Sequence, residues 1–305
     1  MGKPRSLEAQ MTYLCKRHKT GTATTHNDRS NSLKAMAYEI KAQFKLQKLD
    51  NLKVKHVSAL VEKWKSEGKS TATIKNRMSH LRWAAEKLNK PNMIPRSNED
   101  VGIDKRKIDY NTDKGWTPSK EFKASLPERA SLHVELMRDF GMRFKEAATL
   151  QPQDIKENHI HLTRGTKNGT ERDVPIRTDE QRDLIDRFKA MVPEKDQSMI
   201  PVTKGDDYKI FKNSLQNLYA SRGMTKEGIG TPHGLRHQYA QDRYIDLTGW
   251  KPPAHYEDKM DRALFKASMS HEMKERDSIA RNIISAELGH SREHISANYI
   301  GTWHQ

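Results

Sequence analysis

Cysteine is nearly absent. Cys15 is the only one in 305 residues, so no internal disulfide can form, and a reducing compartment suits the chain. No apolar run is long enough to span a membrane, and no stretch reads as a signal peptide, so a cytoplasmic protein without a membrane partner is expected. His233 and His237 are four apart, as are His290 and His294, but neither pair has the His-Glu-x-x-His arrangement of a zinc helix. Glycine-rich nucleotide-phosphate loops are missing too. Neither a metal nor a cofactor is therefore expected. Acidic residues are scarce at one end: the first 90 residues hold 20 Lys and Arg against 7 Asp and Glu, while the remainder holds 35 against 33. The net charge of +15 is thus concentrated in the N-terminal third, which favours a polyanionic partner, nucleic acid first. With 34% hydrophobic and 31% charged residues, the composition is polar but not that of a disordered chain.

Helical periodicity dominates the basic third. Leu7, Met11 and Leu14 mark one short helix. Thr20 to Ser32, rich in Thr, Asn, Gly and Ser, reads as a loop. Leu33, Met36, Ile40 and Phe44 mark a second helix, and Val57, Leu60, Val61 and Trp64 a third that ends near Gly68. Ser70 or Thr71 caps a fourth, with Ile74, Met78, Leu81, Ala85 and Leu88 on its apolar stripe. Lys69, Lys75, Arg77 and Arg82 lie at or around that helix and are the candidate phosphate contacts. The polar stretch from Arg96 to Lys114 reads as a linker. Its Lys105-Arg106-Lys107 cluster is either a backbone contact to nucleic acid or a solvated charge run.

The rest of the chain mixes helices with one hairpin. Ser119 to about Gln151 reads as helical, with Gly141 relaxing the backbone before Arg143 and Glu146 placed to pair with that arginine. His159 to Thr163 and Arg172 to Ile176 alternate with period two around Gly165–Gly169, which predicts a β-hairpin with Lys167 in its tip. Helices are expected from about Thr178 to Met191 and from about Asp206 to Arg222. Pro232 opens another, on which His233 and Arg236 share a face at i, i+3. The stretch Glu287-Leu288-Gly289-His290-Ser291 then leads, nine positions after His290, to Tyr299.

A tyrosine, two arginines, two histidines and a lysine suit one kind of chemistry, the attack of a tyrosine hydroxyl on a phosphodiester while fixed positive charge holds the phosphate. A free tyrosine has a pKa of about 10 and is a poor nucleophile until a proton acceptor and nearby cations activate it. The planar forks of Arg143 and Arg236 suit the charge that builds on the non-bridging oxygens. His290 is suited to donate a third hydrogen bond. His233 is suited to accept the tyrosine proton or orient the phosphate, and Lys167 to protonate the leaving 5′ oxygen. Tyr239 and Tyr244 are rival nucleophiles near Arg236, but they lack the preceding Leu-Gly-His turn.

In this order and spacing, Arg143, Lys167, His233, Arg236, His290 and Tyr299 resemble the tyrosine recombinases, the phage-integrase family. Gly68-Lys69-Ser70-Thr71-Ala72-Thr73-Ile74 is similar to the entry into the last helix of that family's core-binding domain. The resemblance implies a mainly α fold with a small β-hairpin, closing on DNA as a C-shaped clamp. It divides the chain into a helical core-binding domain over 1–95, a linker over 96–115 and an α+β catalytic domain over 116–305. It implies cleavage and rejoining of double-stranded DNA through a 3′-phosphotyrosine, without ATP or metal. It further implies inverted half-sites, a homo-tetramer on synapsed DNA, a Holliday junction, and in some cases a directionality factor, with the protein on the nucleoid. A relaxing type IB topoisomerase and a non-catalytic DNA-binding protein on the same scaffold remain open. Family members place the motifs at Arg236 and His290 closer together, so residues 248–275 read as an insertion, either partner-contacting or a local elaboration. The sequence shows no separate domain before the first basic helices and only six residues after Tyr299. A dedicated arm-site reader is therefore not expected, and any exchange of C-terminal segments would have to use the tyrosine-bearing segment itself.

Overall fold

Apolar stripes and side-chain caps build the basic third into four helices: α1 (Leu7–Arg17), α2 (Ala23–Phe44), α3 (Val54–Ser66) and α4 (Thr71–Lys87). The computed structural model describes residues 6–195, 197–200, 207–290 and 292–304, in two compact units, Met1–Ile108 and Asp109–Gln305. Ser6, Thr22 and Ser70 each cap a helix by accepting from the backbone N–H three residues on. Leu7, Met11, Leu33, Met36, Ile40, Leu60, Trp64, Met78 and Leu81 face one another in a single apolar core.

One expectation fails here. Thr20 to Ser32 is not a loop, because α2 begins at Ala23. The Thr22 cap starts the helix, and its polar first turns are held from outside. The Arg29 guanidinium lies 4.3 Å over the Trp83 ring, and it donates to the Thr20 hydroxyl at 2.9 Å. Composition gave the loop reading; a cap and a cation–π contact from another helix override it. Part of the polar stretch after α4 also packs inward, since Met93, Ile94, Val101 and Ile103 join this core.

In the second unit, the helical reading from Ser119 to Gln151 resolves into three pieces: α5 (Lys120–Ala124), α6 (Glu128–Asp139) and α7 (Phe144–Thr149). Pro127 stands at the N-cap of α6, and Gly141 separates α6 from α7 at φ 58°. A side chain at Gly141 would meet the Tyr239 ring at 2.5 Å, so glycine is required there by space as well as by φ. The predicted hairpin forms from β1 (His159–Leu162) and β2 (Arg172–Pro175), antiparallel, with Ile160 opposite Val174 and Leu162 opposite Arg172. Next come α8 (Asp179–Met191), α9 (Asp207–Ser221), α10 (Pro232–Thr248), α11 (Lys259–Ser268), α12 (His271–Glu287) and α13 (Ala297–Ile300). Asp206 and Ser291, which the sequence reading placed at a helix start and in the His290 turn, lie outside the described residues. The helix α10 is central, lying against α6, α12 and α13. Among the described residues, no helix is long and apolar enough to cross a membrane.

Part of the 248–275 segment braces the end of the chain. Its Tyr256 and Phe265 rings pack on Trp303 at 5.7 and 5.3 Å, and Trp250 packs on Phe265 at 6.3 Å. Trp303 in turn donates to Asp277 at 3.0 Å. The tail that follows Tyr299 is thereby held against its own chain.

Candidate active site

Three turns deliver the predicted residues to one place. Arg143 is the N-cap of α7, and Glu146 reaches back to accept from the Arg143 backbone N–H at 2.6 Å and from its guanidinium at 2.7 Å. Thr231 caps α10, and Pro232 at its first turn starts the helix that carries His233 and Arg236. Gly289, at φ 64°, ends the α12 helix. Its N–H bonds the Ala286 carbonyl at 2.8 Å, and the N–H of His290 bonds the Ser285 carbonyl at 2.8 Å. These two bonds make the left-handed helix stop that glycine favours, and they turn His290 out of the helix.

The Leu-Gly-His turn also holds the arginines. The Leu288 carbonyl accepts from Arg143 at 3.1 Å and from Arg236, and the Gly141 carbonyl accepts from Arg236 as well. Arg236 is wholly buried, and burial with the charges of Arg143 and Arg172 pushes its guanidinium down to about 10, still a cation at neutral pH. Its Nε donates to the Tyr299 hydroxyl at 3.4 Å, and the His290 Nε2 stands 3.2 Å from the same hydroxyl. Burial first, then the charges of Arg236, Arg143, Arg172 and Lys167, push the His290 imidazole down to about 4. It is therefore neutral at pH 7, and in the tautomer that carries its proton on Nδ1 the Nε2 lone pair can take the hydroxyl proton while Arg236 donates to the oxygen.

Two more imidazoles flank the tyrosine ring. His233 lies 5.7 Å away and His237 4.8 Å, centroid to centroid. Burial, then Arg236 and Arg143, lower His233; burial, then His233 and Lys114, push His237 down to about 4. The imidazole bonded to the hydroxyl is thus His290, while His233 stands beside the ring. Lys167 sits exposed in a short 3-10 turn at the hairpin tip, near enough for its charge to act on His290.

Sequence reasoning passed over the partner that locks this array. Arg172 entered the sequence reading as the start of a predicted strand, but it is buried and grips Glu146 with two bonds of 2.7 and 2.6 Å, while its Nε donates to the Glu287 carbonyl at 2.7 Å. Burial alone would push the Glu146 carboxyl up; Arg172, then Arg143 and Arg236, hold it down at about 2. One buried carboxylate therefore orients two guanidiniums and faces a third, Arg236, at 4.0 Å. The signal that could have found Arg172 was its place on the inward face of a period-two strand, where an arginine needs a buried acid. The rival tyrosines are spoken for: Tyr239 donates to Glu287 at 2.7 Å and Tyr244 to Asp277, and burial raises both hydroxyls.

The predicted phosphate contacts lie in the first unit. Lys69 pairs with Glu67 at 2.6 Å. Arg77 pairs with Glu39 at 2.9 Å and lies 4.8 Å over Trp64, and Arg82 donates to the Pro95 carbonyl and to Asn98 at 3.0 Å each. Lys75 is half-buried on the same helix.

Comparison with known proteins bears on the family and the fold. The model described as phage integrase, N-terminal, matches residues 5–91, and the phage integrase family model matches residues 117–244. No curated protein sequence matches the chain. Among solved structures, a lambda integrase dimer bound to a COC′ core site is similar at 17% identity and TM-score 0.62, covering 96% of this chain and 75% of that one. A lambda integrase tetramer bound to a Holliday junction is similar at 15% identity and TM-score 0.61, over 96% and 76%. The Tn1549 transposon integrase in complex with a circular intermediate DNA is similar at 16% identity and TM-score 0.55, over 98% and 96%. At these identities the structures establish the fold, while the two family models together span well over half of the chain. The chain belongs to the phage integrase family, the tyrosine recombinases, and is an enzyme that cleaves and rejoins DNA strands in site-specific recombination.

Proposed function

We propose that the protein is the integrase of a mobile element and that Tyr299 is its nucleophile. The observation that carries this reading is the Tyr299 hydroxyl, within hydrogen-bond reach of both Arg236 and His290. The hydroxyl bonds donors that a phosphate would use, so the scissile phosphate enters as the hydroxyl shifts to its in-line position. Arg143 and Arg236 hold the non-bridging oxygens and stabilise the charge that builds there. His290 takes the hydroxyl proton, and His233, beside the ring, orients the phosphate. The tyrosine oxygen bonds to phosphorus, the bond to the 5′ oxygen breaks, and Lys167 supplies the proton to that leaving oxygen. The 3′-phosphotyrosine keeps the bond energy for rejoining.

The substrate is double-stranded DNA with inverted half-sites, met in the cytoplasm on the nucleoid. The excess of 20 basic over 7 acidic residues in the first 90 supports a sequence-independent grip by the helical unit, with Lys69, Lys75, Arg77 and Arg82 around its fourth helix. Lambda integrase has been solved as a dimer on a core site and as a tetramer on a Holliday junction. A tetramer of this chain on synapsed DNA, with a directionality factor setting the direction of exchange, follows that pattern. The test is covalent trapping. Nicked duplexes carrying inverted repeats from the DNA flanking the gene lose the leaving strand on cleavage; native protein and Tyr299→Phe are run on denaturing gels. An adduct in the native lane alone is expected. Specific binding of such a duplex with no adduct from the native protein would contradict the assignment.

A further inference from the structure

Gln241 stands on α10 five residues after Arg236 and is wholly buried, yet no step of the reaction uses it. Its amide is filled. Nε2 donates to the Asp113 carboxylate at 2.7 Å and to the backbone carbonyl of Tyr299 at 3.2 Å. Oε1 lies 3.2 Å from the Nε2 of His255, whose N–H it accepts. Those partners define the amide's orientation: turned over, its oxygen would face a carboxylate and a carbonyl, and its NH₂ would face an N–H. The approach is close, for a Cβ at Gly115 would stand 2.2 Å from the Gln241 Oε1, and the Gly115 N–H is itself held by Asp113 at 2.8 Å. One side chain therefore joins three parts of the unit: the segment by which the chain enters it (Asp113 to Gly115), the 248–275 brace through His255, and the main chain of the nucleophile.

We propose that Gln241 is a positioning residue for Tyr299, setting the height of the nucleophile along α10 so that its hydroxyl meets Arg236 and His290. This rests on the assignment of Tyr299 as nucleophile. The carbonyl of Tyr299 is a short, stiff lever on its own ring, and the hydroxyl contacts of 3.2 and 3.4 Å leave little room for slippage. A buried amide with two donors is also the one uncharged group that serves a carboxylate and a carbonyl together. Asp113 and His255 stand 3.8 Å apart beside it, so the amide bonds both members of a pair of opposite titratable groups without titrating.

The experiment compares native protein, Gln241→Ala and Gln241→Glu on the same nicked duplexes, measuring the single-turnover rate of adduct formation and, separately, DNA affinity. Gln241→Ala is expected to slow adduct formation about 10- to 100-fold, the scale of a misplacement near 1 Å, with affinity unchanged. Gln241→Glu keeps the size but sets a carboxylate against Asp113 and the Tyr299 carbonyl, with the His255 imidazole the cationisable group bonded to that side chain. Its rate relative to native should be low at pH 8 and climb as the pH falls, because protonation restores one donor; a purely structural lesion would give a flat ratio. If native protein forms adduct and both variants match it at every pH, the proposal fails while the nucleophile assignment stands. Absence of a native adduct on a specifically bound duplex would overturn the nucleophile assignment and this proposal with it.

Discussion

The two units are built on opposite terms. In the helical unit, apolar stripes on four helices make the core, and the arginines sit at its rim, with Arg77 over Trp64 and Arg82 on Pro95 and Asn98. In the catalytic unit, charge lies at the centre: Glu146 and Arg236 are wholly buried, and Arg172 nearly so. An apolar core tolerates exchange of one hydrophobe for another of similar volume, because its attraction is non-directional. A buried carboxylate shared among three guanidiniums tolerates no such exchange, because each loss strands a charge. The first arrangement is suited to carrying a basic surface to DNA. The second is suited to holding donors still while a phosphate passes through a short-lived, more negative state.

The largest expected break in this contrast is at Arg236. Replacing it with Ala should lower adduct formation by about 10²–10³-fold or more, in line with the loss of one preorganised donor, while gel-shift affinity holds. Stability comes next. Glu146→Gln leaves the buried Arg172 and Arg236 and the half-buried Arg143 without their anion and should cost the catalytic unit about 3–5 kcal/mol in urea unfolding. Leu81→Met in the helical core should cost less than about 1.5 kcal/mol by the same assay.

Acid should separate the units in the same direction. Burial holds His133, His237 and His290 at about 4, below their ordinary 6.5. The unfolded chain thus binds more protons than the folded one between those values. The stability these imidazoles contribute is complete above pH 6.5 and is lost as the pH falls towards 4. Glu146, held at about 2 against an ordinary 4.5, adds a further loss below pH 4.5. Thermal melts from pH 7.5 to 4.5 should show the catalytic unit weakening first; a helical unit that melts earlier on acidification would contradict this. The smallest effect concerns the basic surface. Lys75→Ala should reduce the slope of log affinity against log salt by about 0.9, the share of one phosphate. Arg77→Ala and Arg82→Ala should instead show up mainly as lost stability, since both side chains are already engaged within the fold.

What the sequence made legible follows the same divide. Stripes such as Ile74, Met78 and Leu81 repeat at helical spacing, so the helical unit could be read from period alone, apart from the start of α2. There the polar residues from Thr22 to Asn31 carry no stripe, and helix is set by a cap and by Arg29 on Trp83. Arg143, His233, Arg236, His290 and Tyr299 were legible through residue type and order, and all five come together. Arg172 was not, because its acid lies 26 residues back in sequence and only the hairpin brings them side by side. Gln241 was hidden for a related reason: its partners Asp113 and His255 come from either side of α10 in the chain, and a lone glutamine carries no chemical signature. The 248–275 segment could be flagged by length, but its packing of Phe265 on Trp303 could not.

The most direct test of the account is the identity of the residue that carries the DNA. After trapping on a nicked duplex, nuclease and protease digestion followed by mass spectrometry locates the peptide bearing the residual nucleotide. The predicted result is the peptide containing Tyr299, with none on Tyr239 or Tyr244, whose hydroxyls are bonded to Glu287 and Asp277. A nucleotide on either of those tyrosines, or on a serine, would contradict the central claim.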